Sequence, residues 1–155
     1  MFSKNGVQIQ KEIRAVLSSY IALDGIWIVL AVAYIFASIK SPGKSWEIGA
    51  VILAICSILW ALWLRGFKLT VTDKYLEYRD GFYRISKISL EDVKEMKHKW
   101  VQWKNLGWTL SIPRIAVITK DRKTAFLIND KPFGINDLAM IRNMVKEANQ
   151  SKEQR

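Results

Sequence analysis

Two long apolar runs constrain this chain more than anything else in it. Ala15 to Ile39 reads AVLSSYIALDGIWIVLAVAYIFASI, with one charge, Asp24. Trp46 to Leu64 reads WEIGAVILAICSILWALWL, charged only at Glu47 near its edge. A helix needs about 20 apolar residues to cross the hydrocarbon core of a bilayer. Neither run carries a polar face at helical spacing, which separates them from helices that lie on a soluble domain. KSPGKS, residues 40–45, lies between them, and its Pro42-Gly43 pair is a turn signal. The expectation is a two-helix transmembrane hairpin: a charged N-terminal segment 1–14, a span 15–39, a loop 40–45 and a span 46–65. The charged lead and the second run argue against a secretory signal peptide.

Basic residues set the expected orientation. Lys4, Lys11 and Arg14 precede the first run, and Arg65, Lys68, Lys74, Arg79 and Arg84 follow the second, whereas the loop holds only Lys40 and Lys44. Basic residues collect on the cytoplasmic side. Both termini and everything after the hairpin are therefore expected in the cytoplasm, at a cell membrane crossed twice. The single cysteine, Cys56, allows neither an intrachain disulfide nor a cysteine-based metal site.

After the hairpin the apolar period changes to two. FKLTVT (67–72), YLEYR (75–79), FYRISKI (82–88), VKEMKHK (93–99), TLSIPRIAVITK (109–120) and KTAFLIN (123–129) read as strands. Asp73-Lys74 and Asp121-Arg122 read as turns, and Asp80-Gly81 as a type I′ hairpin turn with positive φ at both positions. Near the end Leu138, Ile141, Met144, Val145 and Ala148 recur at three and four, an amphipathic helix with Asn136 as N-cap. The tail 151–155 is polar.

LTVTDKYLEYRDGFYRISKISLEDVKEMK resembles the opening of the bacterial pleckstrin-homology-like domains, through its T-D-K-Y-L turn, R-D-G-F hairpin and I-S-L-E-D-V connector. TLSIPRIAVIT and the elements after it are similar to the YyaB-like branch of those families. The resemblance covers residues 67–150 and implies a mainly-β barrel of about seven antiparallel strands capped by a C-terminal helix. Six strand-like runs are readable and the seventh is not placed, unless Pro113 splits 109–120. The resemblance implies no catalysis. Some similar membrane proteins are tied to bacteriocin immunity.

No catalytic, metal-binding or cofactor-binding pattern stands out. GKS at 43–45 lacks the glycine a phosphate-binding loop needs five residues earlier, where Ser38 stands. One histidine, His98, cannot supply a histidine-rich metal site, and nothing places a nucleophile beside it. Asp24 is the one intramembrane polar residue of interest, because a charge at that depth faces protein or water. Arg65 is its expected partner. A small transporter or channel subunit would rest on Asp24 alone.

Residues 66–155 hold 18 basic and 11 acidic residues, so this part carries 18 − 11 = +7. A basic domain tethered at the cytoplasmic leaflet meets anionic lipid, and each nearby Lys or Arg contributes about 1 kcal/mol. Nucleic acid is not the expected partner, since the tether and the lack of a recognisable motif weigh against it. KHKWVQWKNLGW, residues 97–108, holds three of the seven tryptophans. It could stack on bases, anchor at a membrane interface, form a protein hot spot or fill a core. With strands alternately leaving and approaching the membrane, three connections become proximal: Asp80-Phe82, 100–108 and Lys131-Phe133. The residues expected to meet lipid or a partner are Phe82, Lys97, Lys99, Trp100, Trp103, Lys104, Lys131 and Phe133. The function expected is non-enzymatic: a membrane-anchored module that binds the lipid bilayer, through its anionic head groups, and an unknown protein or peptide partner.

Overall fold

The structure is a computed structural model and describes residues 9–41, 44–105 and 108–153. The first described element is strand β1 (Ile9–Arg14), after which the chain runs up helix α1 (Leu17–Lys40) and back down helix α2 (Lys44–Gly66). Strands β2 (Lys68–Thr72), β3 (Tyr75–Arg79), β4 (Ile85–Ser89), β5 (Val93–Asn105), β6 (Trp108–Thr119) and β7 (Thr124–Ile128) follow, and helix α3 (Ile135–Glu153) is the last described element.

The strands form two sheets, β1-β2-β3-β4 and β5-β6-β7, both antiparallel. This overturns the expected single barrel of about seven strands, because no barrel closes. It also locates the strand that could not be placed. Ile9–Arg14, expected to be a cytoplasmic lead outside the folded part, pairs with β2, Arg14 opposite Lys68 and Ile13 opposite Leu69. A register shift between Ile9 and Lys11 interrupts the ladder.

The expected pair of spans is corrected as well. Among the described residues one helix, Trp46–Gly66, is long and apolar enough to cross a membrane. Helices α1 and α2 do pack side by side. Gly49 makes room for the contact, since a Cβ there would stand 2.5 Å from Tyr34 Cε1. Tyr34 in turn meets Trp46 edge-on, ring centroids 5.4 Å apart. Large apolar side chains project outward from both helices, among them Ile26, Val29 and Phe36 on α1 and Ile48, Val51 and Leu59 on α2.

Because β1 and β2 are neighbours, the helix pair is an insertion between two strands of one ribbon, fastened at both feet. At the α1 foot, the Val16 amide donates to the Pro132 carbonyl (2.9 Å) and the Ser19 hydroxyl to the Lys131 carbonyl (2.8 Å). At the α2 foot, Arg79 Nε donates to the Gly66 carbonyl at 2.8 Å, serving the C-terminal end of the helix with a cation. Leu64 and Phe67 pass from the helix directly into the core, where Leu69, Leu76, Val117, Ile128, Ile141 and Val145 are also buried.

The turns follow local chemistry. Thr72 Oγ1 accepts from the Tyr75 amide (2.9 Å) and donates to the Tyr75 carbonyl (3.0 Å), closing the turn at Asp73-Lys74. The Asp80-Gly81 connection is not the expected two-residue turn. Asp80 Oδ1 accepts from the Phe82 and Arg84 amides (2.8 and 2.9 Å), and the positive φ falls on Tyr83 (62°). Gly81 is needed for a different reason, since a Cβ there would collide with the Trp63 indole. In α3 the stripe is as expected, with Ile141 and Val145 buried and Leu138 and Met144 packed against the core. The helix starts at Ile135, so Asn136 lies inside its first turn and is not the cap.

Candidate binding face at the helix–domain junction

The foot of α1, the middle of β5 and β6, the segment after β7 and the first turns of α3 converge on one region. A cleft of about 1170 Å³ opens there, lined by Ser19 and Ala22 of α1, His98 of β5, Pro113 of β6, Lys131 and Arg142, among others. It mixes charges of both signs. His98 Nδ1 stands 3.9 Å from Asp130 Oδ2, and the other oxygen of Asp130 is buried with no hydrogen-bond partner among the described residues. Asp137, on the first turn of α3, is held by Lys11 of β1 at 3.4 Å.

A polar chain borders a second, smaller cavity beside Trp63 and Phe82. Arg114 donates to Asn129 Oδ1 at 2.7 Å, and the Asn129 amide donates to the Tyr78 hydroxyl at 3.2 Å. Burial pushes the Tyr78 phenol up to about 12, against the lowering effect of the Asn129 bond. Its ring lies parallel to Phe126, centroids 6.3 Å apart, and meets Phe133 edge-on at 6.5 Å. On β1, burial raises the Glu12 carboxyl, but the bonds from Lys68 and Arg14 outweigh it and hold Glu12 below the ordinary carboxylate range. Lys97, 2.8 Å from Glu95, does the same for that exposed carboxylate.

The residues singled out in the sequence separate into groups. Lys97, Lys99, Trp100 and Lys104 are exposed and lie on one strand, β5, with Trp100 68 % exposed. The Trp103 side chain lies outside the described residues. Phe82 is exposed on the far side of the junction, its ring 6.1 Å from Trp63. Lys131 is exposed at the rim of the cleft. Phe133 is not a surface residue: it is buried in the core beside Phe67 and Tyr78, so its aromatic ring closes the domain rather than facing a bilayer. Asp24 is buried between the helices, and its partner is Ser57, whose hydroxyl donates to Oδ1 at 2.8 Å, not Arg65, which is exposed in the last turn of α2. The connections expected near the membrane do meet the helix feet at two places. Gly81 packs on Gly66 and Trp63, and Lys131-Pro132 bonds to the start of α1.

Sequence reasoning missed Ser57, Arg79 and Asp130. Ser57 carries a readable signal, being the one hydroxyl residue within Trp46–Leu64. Arg79 and Asp130 carry none, because each acts on a chain segment far away in sequence. Among the described residues no group of His, Cys, Asp and Glu could hold a metal ion. No family model, no curated protein and no solved structure matches this chain.

Proposed function

We propose that this protein is a non-enzymatic recognition module held at a cell membrane by its helix pair, and that the junction cleft receives a protein or peptide partner. The observation that carries the reading is the insertion of an outwardly apolar helix pair into a β-ribbon, fastened at both feet. A stalk so fastened fixes the height and tilt of the two-sheet domain above the surface in which it is embedded. In this reading α2 is the spanning element. The sheets lie on the cytoplasmic side, where Arg65, Lys68 and Arg79 stand at the α2 foot. The cleft opens at the α1 foot, with charges of both signs suited to a polar chain rather than to a purely anionic surface.

The transporter reading drew on Asp24, and the Ser57 bond accounts for that residue as a contact between helices. Protection against a membrane-active peptide rests on the family resemblance and is the narrowest form of the proposal. Two measurements test the broader one. Alkaline extraction of membranes should leave the protein in the pellet, and its release would refute the anchoring. Photo-crosslinkers at Arg142 and His98 should capture a partner that the same group at Lys120, on the distal turn, does not. Equal capture at all three positions would refute the cleft.

A further inference from the structure

The three-stranded sheet is not three-stranded over its whole length. The last pair that β7 makes with β6 is Ile128 with Ile115, while β5 and β6 stay paired from His98–Ile115 out to Asn105–Trp108. Residues 99–105 and 108–114 therefore continue as a bare two-stranded ribbon, about 23 Å long at roughly 3.3 Å per residue. Its direction is fixed by what β7 does next. Ile128 leads into Lys131 and Pro132, which bond to the foot of α1. The ribbon thus overshoots the junction on the side of the helices. Pro113 of the ribbon and Ala22 of α1, more than a turn above the start of that helix, line the same cleft.

An isolated two-stranded ribbon is marginal in water. This one also exposes Trp100 (68 %) and Leu110 (58 %). The register puts Lys99, Val101, Leu110, Ile112 and Arg114 on one face, and His98, Trp100, Gln102, Lys104 and Thr109 on the other. From Met96 to Lys120 the sequence contains no acidic residue, while Lys97, Lys99, Lys104 and Arg114 lie within it. Arg114 also borders the small cavity formed by Trp63 and Phe82, so the ribbon base continues the aromatic surface at the foot of α2.

We infer that the β5–β6 ribbon is a second membrane-inserting element, seated at head-group depth in an anionic leaflet beside the helix pair. The inference rests on the anchoring proposed above. Depth has an upper limit set by hydrogen bonding. The ribbon has two free edges, and unpaired backbone groups do not enter the hydrocarbon core. Indole rings and lysine stems suit the layer just outside it, with rings at the interface and ammonium groups on lipid phosphate.

The test uses the full chain with Cys56→Ser, carrying one fluorescent label at Leu110→Cys or, as a helix control, at Ile55→Cys. Each protein is reconstituted in vesicles of phosphatidylcholine alone or phosphatidylcholine with phosphatidylglycerol, containing lipids quenching at head-group or at mid-bilayer depth. The ribbon label should be quenched by the head-group quencher in the anionic vesicles. Replacing Lys99 and Lys104 with Gln should shift the seating equilibrium toward solvent by about fivefold per lysine. A ribbon label that stays open to aqueous quencher while the helix label is quenched at mid-bilayer depth overturns the ribbon and spares the anchor. A helix label that escapes the lipid quenchers overturns both. A ribbon label shielded from water and from lipid alike, with crosslinks between copies, overturns it in favour of strand pairing along the free edge.

Discussion

Tyr78 allows the most direct test of the core behind the junction. Its phenol is 5 % exposed and is pushed from 10.0 to about 12, with burial as the main cause. Holding the proton from 10.0 up to about 12 is worth roughly 2.7 kcal/mol. The sign follows from proton linkage. The folded state holds the proton to higher pH than the unfolded state, so this stabilisation is complete below pH 10 and is lost as the pH rises through 12. Tyr78→Phe removes the titration and keeps the ring against Phe126 and Phe133. It also removes the acceptor for the Asn129 amide, at a cost of about 1 kcal/mol. The two stability curves must therefore cross. The wild type should be about 1 kcal/mol more stable at neutral pH, and the variant about 1.7 kcal/mol more stable once the pH has passed 12. Urea unfolding in detergent micelles at stepped pH, read by circular dichroism, gives the curves, and phenolate absorbance of wild type minus variant locates the titration. A stability difference that stays constant through the alkaline range would show that the phenol ionises as easily in the folded protein as in the unfolded one, and the argument would fail.

Other outcomes follow from named contacts. Gly81→Ala should lower stability by about 1–3 kcal/mol because the new methyl must displace the Trp63 ring, whereas Gly134→Ala, whose Cβ would meet the end of the Asp137 side chain at 3.3 Å and Val16 Cγ1 at an ordinary 3.6 Å, should change the melting temperature little. Glu12→Gln should flatten the acid limb of the stability curve. The lowered Glu12 carboxyl stabilises the fold above its unfolded value near 4.5, and that contribution disappears as the pH falls through its folded value, so an unchanged acid limb would contradict it. Ser57→Ala should weaken the α1–α2 contact by stranding Asp24, and Asp24→Leu with Ser57→Ala should restore it, measured by the yield of disulfide between cysteines placed across the pair. A double variant no better than the single one would deny that the two residues act together.

The amino-acid sequence determined the local elements. The first two helices follow from the length of their apolar runs, and the strands around residues 67–79 and 123–129 and the buried stripe of α3 from periodicity that each segment carries in itself. The structure decided what those elements meet. The strand Ile9–Arg14 has only weak alternation of its own and exists because β2, on the other side of the helix pair, offers it an edge. The stretch 97–108 reads as a strand end and a connection, yet residues 97–105 run on as one strand, since cross-strand pairing with residues 108–116 sets their shape. Asp24 found Ser57 rather than Arg65, and Phe133 went to the core rather than to the surface, because antiparallel packing joins positions whose spacing no single segment records. The seven strands divide into two sheets instead of one barrel for the same reason. Periodicity tells a residue which way it faces within its own element, and only the packing of elements far apart in the chain decides what stands opposite.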